Sequence, residues 1–365
     1  MILNANPKLE NYLLRNEINT KIKKIVKNGK YILSDNVNNF EKKFAKYIGV
    51  KYAVGVNSGT DALIITLKAL GVKTGDEVII PSLSASATAI AVKNVGARIV
   101  YADINLNNYN ICEKDILRKI TKKTKAIIIV HLHGLTANMS KILKIVKNKN
   151  KNIKIIEDCA QSHGSKLGNK KSGSFGDFGC FSFYPTKNLN CIGDGGIITT
   201  NNYNYFLLAK KIRQYGWVSR DNSEILGINS RLDEIQAAVL LIKLRRLDKF
   251  NRSRRKIARK YLNNISNKNI ILPKTEDLSK HVFHHFVVRL SNINRDKLIK
   301  KFLSRKIQIL VHYKIPLFKQ KALDGKNFNL KNTLQVCDNT ISLPIYPGLL
   351  DSQINKICNI LNKYE

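Results

Sequence analysis

The sequence predicts an α/β fold: a large, mostly parallel sheet with helices on both faces, followed by a smaller α+β domain. Three observations carry that prediction. Short apolar runs alternate with helical patterns between about residues 50 and 200, the alternation stops near residue 230, and a long helical stretch then leads into mixed elements. A chain of 365 residues buries enough apolar surface for one large domain plus a smaller one.

Residues 53–56, 77–80, 98–101, 126–130 and 153–157 are short runs rich in Val and Ile, and they read as strands covered on both faces. Between them, residues 60–70, 85–94, 113–120 and 139–147 read as helices. Alternation of this kind makes the sheet mostly parallel, and ligands of such sheets bind outside the carboxyl ends of the strands. Residues 231–263 carry Leu232, Ile235, Ala238, Val239, Ile242 and Leu247 with no Pro or Gly, so they read as one long helix. A strand at 286–290, a helix at 295–304, a strand at 307–311 and a terminal helix from residue 352 complete the chain. The domains are accordingly drawn as 1–245, with an N-terminal arm, and 246–365.

Composition narrows the function classes. Apolar residues are 44% and aromatic residues 8% of the chain, which is ordinary for a globular protein and not for a disordered one. No apolar run approaches the length of a membrane span, and the first residues lack the pattern of a signal peptide, so a cytoplasmic location is expected. The six cysteines show neither a CxxC pair nor histidines at ligand spacing, so reduced thiols are expected and no metal site. The net charge of +37 invites a nucleic-acid reading. The lysines, however, are spread along the whole chain and no aromatic residues alternate with them, so solvated surface charge is the better reading. That charge also favours the approach of anionic substrates.

Three segments carry chemistry, each at or just after a predicted strand. In Val56-Asn-Ser-Gly-Thr-Asp-Ala-Leu, Gly59 permits a tight turn and Thr60 opens a helix whose free N–H groups suit a phosphate. Taken alone, the segment is better read as plain helix capping by Ser58 or Thr60. In Ile155-Ile-Glu-Asp-Cys-Ala-Gln-Ser-His-Gly, an apolar strand delivers Asp158 to the carboxyl end of the sheet. There a protonated ring nitrogen would keep it charged, and Gln161 and His163 could reach other polar atoms of the same ligand; taken alone, the segment is read equally well as an Asp capping the next turn. The third segment, from Gly179 to Thr200, holds Lys187 between Pro185 and the glycines 193, 195 and 196, with Ser182 as a further phosphate donor. A lysine desolvated by small and apolar neighbours loses its proton readily and serves as a Schiff-base nucleophile. In a chain this rich in lysine, local composition does not separate that reading from a surface lysine.

The wider pattern does. The series SGTDAL, EDCAQSHG, FSFYPTKNLNCIGDGG and GINSRLDEIQAA is similar to the DegT/DnrJ/StrS family of nucleotide-sugar aminotransferases. GKYILSDNVNNFEKKFAKYIGVKYAVGV, VHLHGLTANM, HVFHHFVVRL and VHYKIPLF extend the resemblance along nearly the whole chain, in order. It implies the aspartate-aminotransferase-like fold (fold type I) and pyridoxal 5'-phosphate as cofactor. It further implies that Lys187 holds the cofactor as a Schiff base, that Asp158 pairs with the pyridine nitrogen, and that Gln161 bonds the phenolic oxygen. By the same resemblance Gly59, Thr60 and Ser182 hold the phosphate, and Asn229 reaches it from the neighbouring subunit of a homodimer. One departure stands out: many relatives place a ring-stacking aromatic residue after the Pro81 strand, where this chain has Ala85.

The implied reaction moves nitrogen from L-glutamate to a nucleotide-diphosphate keto-6-deoxyhexose, with Lys187 as the proton carrier. Tyr184-Pro-Thr-Lys-Asn-Leu and Asp194 look more like relatives that aminate C3 of a dTDP sugar than C4. The alternatives are C4 amination, another enzyme of the same fold acting on a cyclitol, and a non-catalytic regulatory protein. Intact Lys187 and Asp158 count against the last, and Lys187 counts against the dehydratase branch, which has histidine there.

Overall fold

The structure is a computed structural model that describes residues 1–274 and 277–364. Helices α1 (Pro7–Leu13), α2 (Arg15–Asn28) and α3 (Asp35–Ile48) precede the sheet. Seven strands then build it: β1 (Tyr52–Val56), β2 (Glu77–Pro81), β3 (Arg98–Ala102), β4 (Thr124–Val130), β5 (Lys154–Asp158), β6 (Phe178–Ser182) and β7 (Gly196–Thr200). Their spatial order is β1-β7-β6-β5-β4-β2-β3, and β7 alone runs against its neighbours. The expected mostly parallel sheet is what forms. Helices α4 (Gly59–Ala69), α5 (Ser86–Asn94), α6 (Glu113–Lys119), α7 (Met139–Lys149) and α8 (Tyr203–Ile212) cover it.

Alternate residues of each central strand face opposite layers, which is why the strands read as continuous apolar runs. Val78, Ile80, Ala126, Ile128 and Ile156 join the core under α4 and α5. Ile79, Ile127, Ile129 and Ile155 join the other core, under α7. The register sets Val130 beside Asp158 and Asp158 beside Cys180, so the strand ends that carry chemistry lie level with one another.

Two expectations fail. Residues 231–263 form two helices, α9 (Glu234–Leu244) and α10 (Leu247–Asn264), not one. No Pro or Gly marks the break; Leu247 is fully buried in the core that holds α3 and α9, whereas Ile257, Ala258 and Tyr261 belong to the core of the C-terminal part. A straight helix cannot serve both, and Arg245 and Arg246 turn at the junction to pair with Glu17 of α2. Residues 307–311 form only isolated bridges, Ile307 with Ile2 and Leu310 with Ser342. The C-terminal sheet is instead β8 (Ile270–Ile271), β9 (Phe286–Leu290) and β10 (Thr340–Leu343), packed with α11 (Arg295–Ser304), α12 (Lys331–Asn339) and α13 (Asp351–Asn362). The predicted 286–290 strand and 295–304 helix are both present.

Candidate active site

At the carboxyl ends of the central strands lies a cavity of about 220 Å³. Gly59, Thr60, Asp158, Gln161, Ser182 and Lys187 all line it, brought together from α4, β5, β6 and the loops that follow. Ser58 caps α4 through a hydrogen bond from the Asp61 N–H (3.1 Å), so the capping role and the anion-facing role occupy adjacent residues. Gly59 and Thr60 open the first turn, where N–H groups precede the helical ladder. Gly59 is required by contact rather than by backbone angle: a Cβ there would stand 2.6 Å from the Cβ of Ser182. Ser182 Oγ accepts from the Tyr184 N–H (3.3 Å), which leaves its own hydrogen free to donate into the cavity.

Asp158 ends β5 and is buried, with its two oxygens fixed separately. Thr88 Oγ1 donates to Oδ2 (2.9 Å) and the Ala160 N–H donates to Oδ1 (3.1 Å). Burial pushes its pKa up, against the pull of those two donors and of Lys187. Lys187 keeps some accessible surface toward the cavity, but protein surrounds its amine closely. Desolvation therefore lowers the amine to about 8, with Asp158 opposing the shift. Gln161 is held at both ends of its amide: Oε1 accepts from the His133 N–H (2.7 Å) and Nε2 donates to Tyr313 OH (2.8 Å).

Two residues lie elsewhere. His163, read as a second polar contact, packs its ring against Phe181 and Phe183, at centroid distances of 5.5 and 5.8 Å. Its nitrogens have no hydrogen-bond partner among the described residues, and burial lowers its pKa to about 3. Asn229 is exposed and does not line the cavity; its neighbour Ser230 is buried, donating to Asp61 (2.7 Å) and accepting from the Asn57 N–H (3.0 Å). That anchor fixes the GINSR segment beside the start of α4 while Asn229 faces outward. Ala85 does line the cavity, as the residue just before α5, so no aromatic side chain stands at that position.

Sequence reasoning missed Thr88, His133, Tyr313 and Ser84. Thr88 follows Ser84 by one helical turn, and their hydroxyls meet at 2.9 Å, a spacing that could have been noticed. Nothing local points from Tyr313 to Gln161, because 152 residues separate them. His131, Glu157 and Cys159 offer donor atoms within 4.8 Å of one another. Glu157 is already satisfied by His131 and by the N–H groups of Gly173, Phe175 and Gly176, so the cluster needs no ion to explain it.

A family model described as the DegT/DnrJ/EryC1/StrS aminotransferase family matches residues 13–362. The chain belongs to that family. Among relatives within it, the dTDP-3-amino-3,6-dideoxy-alpha-D-galactopyranose transaminase of Aneurinibacillus thermoaerophilus is 41% identical, with 97% of each chain covered. Among solved structures, S. venezuelae DesV in complex with a ketimine intermediate superposes with a TM-score of 0.94 at 34% identity, covering 100% of this chain and 97% of that one. NtdA from Bacillus subtilis with bound cofactor PMP gives a TM-score of 0.88 at 30% identity, over 95% of this chain and 80% of that one. The aspartate-aminotransferase-like fold expected from the resemblance is therefore the fold of this DegT/DnrJ/EryC1/StrS member.

Proposed function

We propose that this protein is a pyridoxal-phosphate-dependent aminotransferase that passes nitrogen from L-glutamate to C3 of a dTDP-linked keto-6-deoxyhexose. It works as a homodimer in which Asn229 serves the neighbouring subunit's site. One observation carries the reading: a desolvated lysine amine and a buried, doubly held carboxylate line the same cavity as a helix N-terminus and a serine hydroxyl with its hydrogen free. The relative named for a dTDP-linked 3-amino-3,6-dideoxy sugar supports the choice of C3 and of dTDP.

These residues fit pyridoxal 5'-phosphate. Gly59, Thr60 and Ser182 offer N–H and O–H donors for its phosphate, and Asp158 offers the anion its ring nitrogen needs. When bound, the cofactor supplies an electrophilic carbonyl carbon and an electron sink for the bond broken at the amino-bearing carbon. The rest is work for this chain's own atoms. Lys187, at about 8, has a usable neutral fraction near neutral pH, so its amine can attack, then accept a proton from carbon and return it. Asp158 is kept from rotating by Thr88 and Ala160, which holds its charge in one place. Gln161, clamped by His133 and Tyr313, presents a fixed amide to the ligand's oxygen. The excess of positive charge, +37 over the chain, draws an anionic nucleotide sugar toward the cavity.

The test has two parts. Borohydride reduction of the protein loaded with cofactor should leave it covalently attached to the peptide containing Lys187, and Lys187→Ala should lose turnover. A dTDP-3-keto-6-deoxyhexose should then accept nitrogen from glutamate while the 4-keto isomer, freed of isomerase, does not, with the product's nitrogen placed by NMR. Attachment to another lysine would refute the site; nitrogen at C4 would refute the choice of carbon.

A further inference from the structure

Lys187 sits in a loop that is tied down on two sides by buried asparagines. On one side, Asn188 Nδ2 donates to Asn251 Oδ1 of α10 (2.9 Å) and to the Val282 carbonyl (2.9 Å), while its Oδ1 meets His284 Nδ1 (3.1 Å). On the other, Asn190 Nδ2 donates to the Lys187 carbonyl (2.8 Å) and to Glu10 Oε2 (3.2 Å), and Asn190 Oδ1 accepts from Lys243 Nζ of α9. Lys243 Nζ also donates to Asn11 Oδ1 (2.6 Å), so α1 contributes two residues to the same small network.

Glu10, Asn190 and Lys243 are all nearly inaccessible to solvent. A buried carboxylate is costly unless paired, and here Lys243 and Arg254 supply positive charge beside it. Arg254 is itself buried, with Nη1 donating to the carbonyl of Ile345 (2.9 Å). None of these groups lines the 220 Å³ cavity; Glu10, Asn190 and Arg254 instead share a separate, small cavity with Lys187. The chain upstream of α1 is sewn to the C-terminal part: Ile2 N–H donates to the Lys306 carbonyl (2.8 Å), and Asn4 Nδ2 donates to the Ser342 carbonyl (2.8 Å). The N-terminal arm thus bridges the C-terminal sheet and the backbone of the lysine loop.

We infer that Glu10 is a positioning residue for Lys187, acting through Asn190, so that docking of the N-terminal arm sets how firmly the amine is aimed into the cavity. The inference rests on the proposed role of Lys187 but concerns residues that no part of the reaction requires. An amine that must reach first a carbonyl carbon and then a proton on carbon loses rate when its backbone is free to wander by even an ångström. Glu10 anchors the side-chain amide that holds that backbone carbonyl.

The experiment compares Glu10→Ala, Asn190→Ser and Glu10→Gln with the parent protein, by hydrogen exchange with and without cofactor and by steady-state kinetics with cofactor. Glu10→Ala and Asn190→Ser should raise exchange across residues 184–191 while leaving the central strands protected. They should also lower kcat by roughly 10-fold or more with KM little changed, as expected when orientation rather than binding is lost. Glu10→Gln keeps an acceptor for Asn190 and should restore both readouts. If Glu10→Ala fails to fold, Asn190→Ser decides, because serine is too short to span the Lys187 carbonyl and Glu10 together. Unchanged exchange and unchanged kcat in the folded variants would overturn the inference, as would a Glu10→Gln defect equal to that of Glu10→Ala. Attachment of cofactor to a different lysine would instead overturn the proposed site and leave the exchange result standing.

Discussion

Replacing Lys187 with methionine should make the cofactor-free protein more stable at neutral pH while abolishing turnover. The amine titrates near 8 instead of its ordinary 10.5, because burial disfavours the charged form. At about 1.4 kcal/mol per pH unit, that difference amounts to about 3 kcal/mol of destabilisation below pH 8, where both folded and unfolded chains carry the proton. The attraction to Asp158 is already contained in that value, so a net gain of about 3 kcal/mol is expected. The sign follows from proton counts: between pH 8 and 10.5 the unfolded chain holds more protons than the folded one. Parent stability therefore rises through that window, and the advantage of Lys187→Met shrinks until it is gone above the unfolded value. Denaturant titrations of both proteins at pH 7, 8.5 and 10 would measure it. A variant less stable than the parent at pH 7, or an advantage that does not fall with rising pH, would refute the reasoning.

Two further outcomes follow from the site's geometry. Gly59→Ala puts a methyl group 2.6 Å from Ser182 Cβ and 3.1 Å from Ser182 Cα. Relief by backbone movement should cost about 1–3 kcal/mol and weaken cofactor affinity roughly tenfold, as read by fluorescence titration; an unchanged affinity would show that the cradle lies elsewhere. Mixing Lys187→Ala protein with Asn229→Asp protein should restore activity that neither has alone, since a heterodimer keeps one intact site. Exchange of subunits without recovery would show that Asn229 does not act across the interface.

Much of the large sheet could be read directly. Strands such as Ile127–Ile129 are apolar at every position because both faces are covered, and that pattern survives in any single sequence. The carboxyl-end placement of Asp158 followed from the strand alone, and Lys187 became distinguishable from the other lysines only through motifs in series with it. The break between α9 and α10 could not be read, because Arg245 and Arg246 are good helix residues and the turn comes from burying Leu247 in one core and Tyr261 in another. For the same reason residues 307–311 look like a strand; whether they pair is decided by Ile2 and Ser342, far away in the chain.

What the sequence by itself determined is the inventory: an α/β sheet, a lysine and a carboxylate delivered to its carboxyl edge, and a glycine-opened helix for an anion. Periodicity and local turn chemistry act over a few residues and are written in the order of the chain. The tertiary structure decided the working state of that inventory. It fixed which hydroxyl holds Asp158 and which tyrosine holds Gln161, and it turned His163 away into a buried aromatic cluster. It alone created the low-dielectric setting that brings the Lys187 amine to about 8. Desolvation and long-range hydrogen bonds depend on what packs nearby in space, and no neighbour in sequence records it.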